Sequence, residues 1–233
     1  MLTQSESGKI PAPPFIRTIE RNAASKTTDQ RRSLDEILEL MGAKIEYDRN
    51  NEIYGEGESA EFIYKVVSGA VRVYKILDDG RRQINGFYLP GDIIGIEASS
   101  EHHFSAEAVV KSRLLVIKRS AVLTLAARQS EIASELWSIT ARELDHVQNL
   151  MITLGRKNAL ERVAAFLLEM AKRARSFTIE LPMSRQDIAD YLGLTIETVS
   201  RTFTQLENEQ AIELPASRRV VLRNRNLLSR LNA

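Results

Sequence analysis

The side chains best equipped for chemistry in this chain are Glu197, Ser200 and Arg201, within the run Ile196-Glu197-Thr198-Val199-Ser200-Arg201. Spacings of three and four put them on one face of a helix, with Ile196 alongside. Such a set can read the edges of DNA bases. Arg201 can donate two hydrogen bonds to a guanine, and Glu197 can accept from the amino group of a cytosine or adenine in the neighbouring pair. Ser200 and Ile196 are second choices, the isoleucine suiting a thymine methyl. A plainer account fits the same residue types. Glu197 could face the positive end of its own helix dipole, and Arg201 could pair with it at i,i+4.

Reading bases requires this helix to be presented N-terminus first, and residues 184–210 supply the means. Apolar residues at Ile188, Leu192, Leu194, Val199 and Phe203 predict two short helices that share one buried side. Ala189 is small where the helices must cross. Gly193 stands where the chain reverses, and Thr195 can cap the second helix. This is the pattern of a helix-turn-helix, whose second helix enters the major groove. Ser184 and Arg185 open the first helix, which crosses the backbone and so suits phosphate contact, as do Thr195 and Thr198. Downstream, 211–214 and 219–222 read as strands around Pro215-Ala216-Ser217-Arg218. They make a wing whose Ser217, Arg218 and Arg219 would lie along a phosphate backbone.

Charge agrees with this placement. The 233-residue chain carries a net charge of only +1. Yet residues 155–233 hold 13 Lys and Arg against 9 Asp and Glu, so the basic excess is local. The chain has no cysteine, which excludes disulfides, thiolate metal sites and a catalytic thiol. Three histidines and no spaced acid–base constellation argue against an enzyme. No run approaches the ~18 apolar residues of a membrane span, and the N-terminus lacks a charged-then-apolar signal pattern. A cytoplasmic protein is expected.

The remaining sequence divides into three stretches. Residues 1–28 are polar, with Pro11, Pro13 and Pro14 close together, and read as a poorly ordered extension with Phe15 and Ile16 able to dock. Residues 30–41 predict a short helix capped by Ser33. From 43 to 118, short Val-, Ile- and Tyr-rich runs alternate with glycines. Strands are expected at 62–67, 70–77, 84–89 and 113–118, with Asp79-Gly80 as a hairpin turn. Many short strands predict a rolled antiparallel unit. Ser120 would cap a short helix after it. A long helix should then run from about 130 to 154, roughly 35 Å at 1.5 Å per residue. Ile132, Leu136, Ile139, Val147, Leu150 and Leu154 form its apolar stripe, flanked by Leu144 and Met151. Leu136, Ile139, Glu143, Val147, Leu150 and Leu154 are expected to meet a second copy as a coiled coil; the alternative is a helix packed entirely on its own domain, since Thr140 and Glu143 interrupt a strict heptad. Gly155 would end this helix and place a hinge at 155–157. Asn158 would cap a further helix to about 174, and a strand is expected at 177–181.

The fold class is therefore α+β: an N-terminal antiparallel, jelly-roll-like β-roll, a long dimerisation helix, and a C-terminal winged helix-turn-helix. The domain boundaries are 1–28, 29–118, 119–155 and 156–233. This order resembles the cyclic-AMP receptor protein/FNR family of bacterial transcription factors over about residues 30–225. Glu197-Thr198-Val199-Ser200-Arg201 fits the family's E-x-x-S-R reading motif, and Gly91-Asp92-Ile93-Ile94-Gly95-Ile96-Glu97-Ala98 resembles its G-D-x-x-G-[FIL]-[DE]-A segment. The resemblance implies a homodimer on double-stranded DNA, an inverted repeat of TTGA-type half-sites, and contact with RNA polymerase in activation. Departures from the family bear on the signal. Where its cyclic-nucleotide sites carry Gly-Glu and Arg-Ser/Thr-Ala, this chain has Gly95-Ile96 and Phe104-Ser105-Ala106. A buried phosphate without a cation is poorly compensated. FNR holds an iron–sulfur cluster through cysteines, and none exists here. His102-His103 reads as a solvated turn, with its side chains pointing apart, rather than a haem or metal site; His146 stands alone on the long helix. The remaining reading is the FixK-like branch, with no bound cofactor or metal. The alternative is a cyclic-nucleotide-type or haem sensor with the same DNA-binding domain.

Overall fold

Ser33 starts the first helix by a reciprocal cap. Its hydroxyl accepts from the Glu36 amide, and the Glu36 carboxylate accepts from the Ser33 amide. The computed structural model describes residues 33–232. The expectations for 1–28, and the first residues of the predicted helix at 30–32, lie outside the described residues. Helix α1 (Leu34–Met41) buries Leu34, Ile37 and Leu38.

Eight strands follow: β1 (Ala43–Tyr47), β2 (Glu52–Tyr54), β3 (Phe62–Ser68), β4 (Val71–Ile76), β5 (Arg82–Tyr88), β6 (Ile93–Ile94), β7 (Ser105–Ala108) and β8 (Ser112–Lys118). They form two four-stranded sheets, ordered β1-β8-β3-β6 and β2-β7-β4-β5, and every pairing is antiparallel. The expected β-roll is present. Between the sheets lie Tyr54, Tyr64, Val66, Val71, Val73, Ile94, Ala106 and Leu114. Asp79-Gly80 turns the β4–β5 hairpin, with Gly80 at φ +82°, a conformation that a Cβ would strain. Strands β1, β2, β6 and β7 were not among the expected ones. They have two to five residues, too few for alternation to register.

Helix α2 (Arg119–Arg128) begins at Lys118 without a side-chain cap. Ser120 lies within its first turn, so the expected cap there is corrected. Helix α3 (Ser130–Arg156) has 27 residues, about 40 Å. It runs straight through Gly155 and ends at Lys157. Gly155 is helical, with open space where a Cβ would stand, so it is not the expected terminator. The connection to α4 (Ala159–Ala174) is only Lys157 and Asn158, and Asn158 closes a capping box with Glu161.

The C-terminal part comprises α4, β9 (Thr178–Glu180), α5 (Arg185–Leu192), α6 (Ile196–Asn208), β10 (Ile212–Ala216), β11 (Arg219–Leu222) and α7 (Arg225–Asn232). Strands β10, β11 and β9 make a three-stranded antiparallel wing. Its core takes Val163, Phe166, Leu167, Ile188, Val199, Phe203 and Leu206 from three helices, and Leu228 from α7, a helix the sequence reading did not include. No helix among the described residues is long and apolar enough to cross a membrane.

Candidate nucleic-acid interface

Helices α5 and α6 owe their angle to local chemistry. Ser184 caps α5, accepting from the Asp187 amide at 3.1 Å, while the Asp187 carboxylate accepts from the Ser184 amide at 2.9 Å. Gly193 then takes φ +62° and ψ +41°, the left-handed stop. Leu194 donates back to the Ala189 carbonyl at 3.0 Å. Thr195 caps α6 by accepting from the Thr198 amide at 3.3 Å. Ala189, Ile188, Val199 and Phe203 are all buried, so the two helices share the apolar side that their spacing predicted.

The opposite side of α6 is open. Ile196, Glu197, Ser200 and Arg201 are exposed, and they stand together at the helix N-terminus, where a base-reading helix presents its contacts. In the free protein the two charged residues are pre-oriented. The Glu197 carboxyl is held below its ordinary range by its own backbone amide and the Thr195 hydroxyl, with Arg201 nearby. It is thus ionised, as an acceptor of base amino protons must be. Arg201 donates to the Thr198 hydroxyl at 3.3 Å, which aims the guanidinium along the helix face.

The expected phosphate contacts are less uniform. Thr195 and Ser217 are exposed. Thr198 is half-buried and engaged with both Thr195 and Arg201. The Ser184 hydroxyl donates to Asp187 at 2.7 Å and is taken up by the cap. The Arg185 guanidinium lies 3.3 Å from the centroid of the Phe203 ring. Burial there pushes its pKa down to about 10, and it remains a cation at neutral pH. Its first role is to clamp α5 onto α6. In the wing, Arg218 donates to the Pro182 carbonyl at 3.2 Å, while Arg219 pairs with Glu180 at 2.5 Å. Ser217 and Arg218 form the β10–β11 turn and are the wing residues best placed to meet a backbone.

The long helix packs most of the expected stripe against its own chain. Leu136 and Ile139 pack on the cluster formed by α1, β8 and α2. Leu150 is buried with the α4–α5–α6 core, and Leu154 packs against it. Glu143 faces the β-roll, accepting from the Tyr88 hydroxyl at 2.7 Å. Burial, then the charge of Glu143, pushes the Tyr88 phenol well above its ordinary pKa, so it stays a donor. Those five side chains are turned to their own chain. What α3 leaves bare is Trp137 (74% exposed), Leu144 (57%), Val147 (39%), Met151 (67%) and Ile152 (52%). Trp137, Leu144 and Met151 repeat every seven residues and Val147 falls between, the spacing that a and d places take in coiled coils.

Inside the β-roll is a cavity of about 180 Å³. Tyr54, Tyr88, Phe104, Glu97 and Glu143 are among its lining, which includes no Lys, Arg or His. Lys75 stands 6.0 Å from the Phe104 ring centroid but is already paired with Glu56 at 2.7 Å. A cyclic phosphate would meet two carboxylates and no cation, so this lining does not fit a cyclic nucleotide. The histidines differ from expectation. His103 is exposed, but His102 is buried, stacked 3.7 Å from Tyr54 and 3.4 Å from the Glu97 carboxylate. The predicted solvated turn holds for one of the pair only. His146 pairs with Glu169 at 3.4 Å. Among the described residues no group of three or more His, Asp or Glu is gathered to hold a metal.

Comparison with known proteins bears on both halves. Residues 44–129 match the model of the cyclic nucleotide-binding domain, and residues 161–231 match the Crp-like helix-turn-helix domain. The chain is 43% identical to the nitrogen fixation regulation protein FixK of Azorhizobium caulinodans, across 96% of this chain and 95% of that one. It is 40% identical to the transcriptional activatory protein AadR of Rhodopseudomonas palustris, across 76% of each. The solved structure of FixK2 from Bradyrhizobium japonicum superimposes with a TM-score of 0.81 at 49% identity, covering 83% of this chain and 98% of that one.

Proposed function

Because the chain belongs to the CRP/FNR family of transcription regulators, in its FixK-like branch, we propose that it is a sequence-specific activator that binds DNA as a homodimer without a bound effector. The observation that carries the reading is the exposed face of α6, where ionised Glu197, Ser200 and Arg201 stand at the N-terminus of a rigidly seated helix. Arg201 reads a guanine, Glu197 accepts from the next pair, and Ile196 and Ser200 complete the contact. Thr195, Thr198, Ser217 and Arg218 meet phosphates, with Ser184, Arg185 and Arg219 at the margin. The site is an inverted repeat of TTGA-type half-sites, read by two copies joined along Trp137, Leu144, Val147 and Met151. Two-fold symmetry then sets the half-sites about one helical turn apart, roughly 34 Å. The partners are DNA, a second copy and RNA polymerase, in the cytoplasm.

Effector independence rests on the cavity lining. A factor that waited for a ligand would populate its binding-competent form rarely until the ligand came. Here the cavity lining offers an anionic nucleotide no cation. Dialysed protein is expected to select an inverted repeat from a random DNA pool. Its affinity should then stay within a fewfold when cyclic AMP, cyclic GMP or haem is added. A rise of tenfold or more with any of them, about 1.4 kcal/mol of coupling, would overturn effector independence and restore the sensor alternative. A footprint over one unrepeated half-site would overturn the dimer.

A further inference from the structure

The helix-turn-helix does not hang free from the long helix. It is held against the β-roll by ions buried on both sides of the contact. Arg72 is the second residue of β4, with its side chain only 8% exposed. It grips Glu107 of β7 at 2.8 Å, reaches the Asn50 side chain at 3.3 Å, and donates to Asp187 of α5 at 3.0 Å. Arg82, at the start of β5, donates to the same Asp187 oxygen at 2.8 Å and to Asp190 at 2.8 Å. The Gln83 amide reaches the Tyr191 carbonyl at 3.3 Å. Beside this network Phe87 of β5 packs against Tyr191 and Phe166, at 5.3 and 6.3 Å between centroids.

Three features give the contact its meaning. First, buried ion pairs add little net stability, because desolvating the charges offsets their attraction; what they contribute is a single geometry. Second, Asp187 also caps α5 through Ser184, so the group held by the β-roll is the one that starts the helix-turn-helix. Burial alone would raise its pKa, yet Ser184 and the charges of Arg72 and Arg82 hold it below the ordinary range. Third, the reading face of α6 remains exposed. The contact therefore orients the reading helix without covering it.

We propose that Arg72 and Arg82 are positioning residues for DNA reading. They lock α5 to the β-roll and so set the separation and angle at which the two recognition helices of a dimer meet their half-sites. The proposal rests on the dimeric reading above. One added base pair moves a half-site by about 3.4 Å along the axis and turns it by about 35°. A locked pair of reading helices cannot follow that change, whereas a pair released from the β-roll can.

The test measures affinity for the selected operator and for versions with the spacer one base pair longer or shorter. The wild-type chain should lose about tenfold or more for either change, roughly 1.4 kcal/mol. Arg82→Met, folded and dimeric by circular dichroism and sedimentation, should lose less than about threefold between spacers, an allowance inside ordinary context dependence. It should rank single-base changes within a half-site as the wild type does. Loss of fold alone would weaken every operator and leave the spacer preference standing. Asp190→Asn, on the other side of the contact, should flatten the profile similarly, and the double variant should go no further. Arg82→Met or Asp190→Asn with the wild-type spacer profile overturns the lock while leaving the dimeric reading intact. A wild-type chain that binds no inverted repeat overturns that reading and the lock together.

Discussion

Leu144→Glu is expected to turn the dimer into a monomer and to cut operator affinity by about 10²–10⁴-fold, the range lost when two linked binding events become one. The side chain is more than half exposed in the single chain and makes no part of its core, so the monomer should fold as before. In the dimer the same position would bring two carboxylates into an apolar seam, where neither finds a partner. Trp137 is the only tryptophan in the chain and lies two turns earlier on the same exposed face of α3, within the proposed seam. Dilution of the wild type should therefore shift its fluorescence, and Leu144→Glu should show the shifted spectrum at all concentrations. Leu150→Glu is the contrasting variant. Leu150 is 9% exposed within its own chain's core, so a charge there should lower the unfolding temperature rather than yield a folded monomer. If Leu144→Glu sediments as a dimer, the seam lies elsewhere.

Arg201→Ala should cost about 1–3 kcal/mol at the operator and relax preference at one base pair of each half-site. Two parallel donors match the two acceptors of a guanine edge, and alanine offers none. Arg201 stands on the exposed face and is steered by Thr198, so removing it leaves the α5–α6 core untouched. Arg218→Ala is the control for charge without sequence information. It should weaken all sequences about equally and reduce the salt slope by roughly one ion. Competition binding against a panel of half-site variants separates the two. An Arg201→Ala protein that ranks the panel as the wild type does would remove this residue from base reading.

How far these outcomes were visible in advance varied along the chain. The helix-turn-helix was legible because each of its signals is short-range. A cap acts within three residues, a left-handed glycine acts at its own position, and Ile188, Leu192, Val199 and Phe203 recur at helical period. The same holds for Ser33 and Asn158, whose capping boxes lie where the sequence placed them. The long helix was legible in its existence but not in its orientation. Both of its sides carry apolar residues, and periodicity cannot say which side meets the β-roll. The hydroxyl of Tyr88 and the cores under Ile132 and Leu150 decided that Leu136, Ile139, Glu143, Leu150 and Leu154 turn inward.

The sequence by itself determined the β-roll, the long helix, the winged helix-turn-helix and which residues α6 leaves exposed, since these follow from patterns that a few neighbouring residues complete. The tertiary structure alone decided the rest. His102 is buried and His103 exposed although they are adjacent, because only one of them lies under Tyr54. Ser184 and Arg185 serve the cap and Phe203 before any phosphate, because Asp187 and the aromatic ring are within reach. Arg72 and Asp187 are 115 residues apart, and nothing in either local sequence names the other. Such pairs are chosen when the chain closes on itself. A buried charge then takes whichever opposite charge the fold brings to it, because leaving it unpaired in a low dielectric costs more than any local preference can repay.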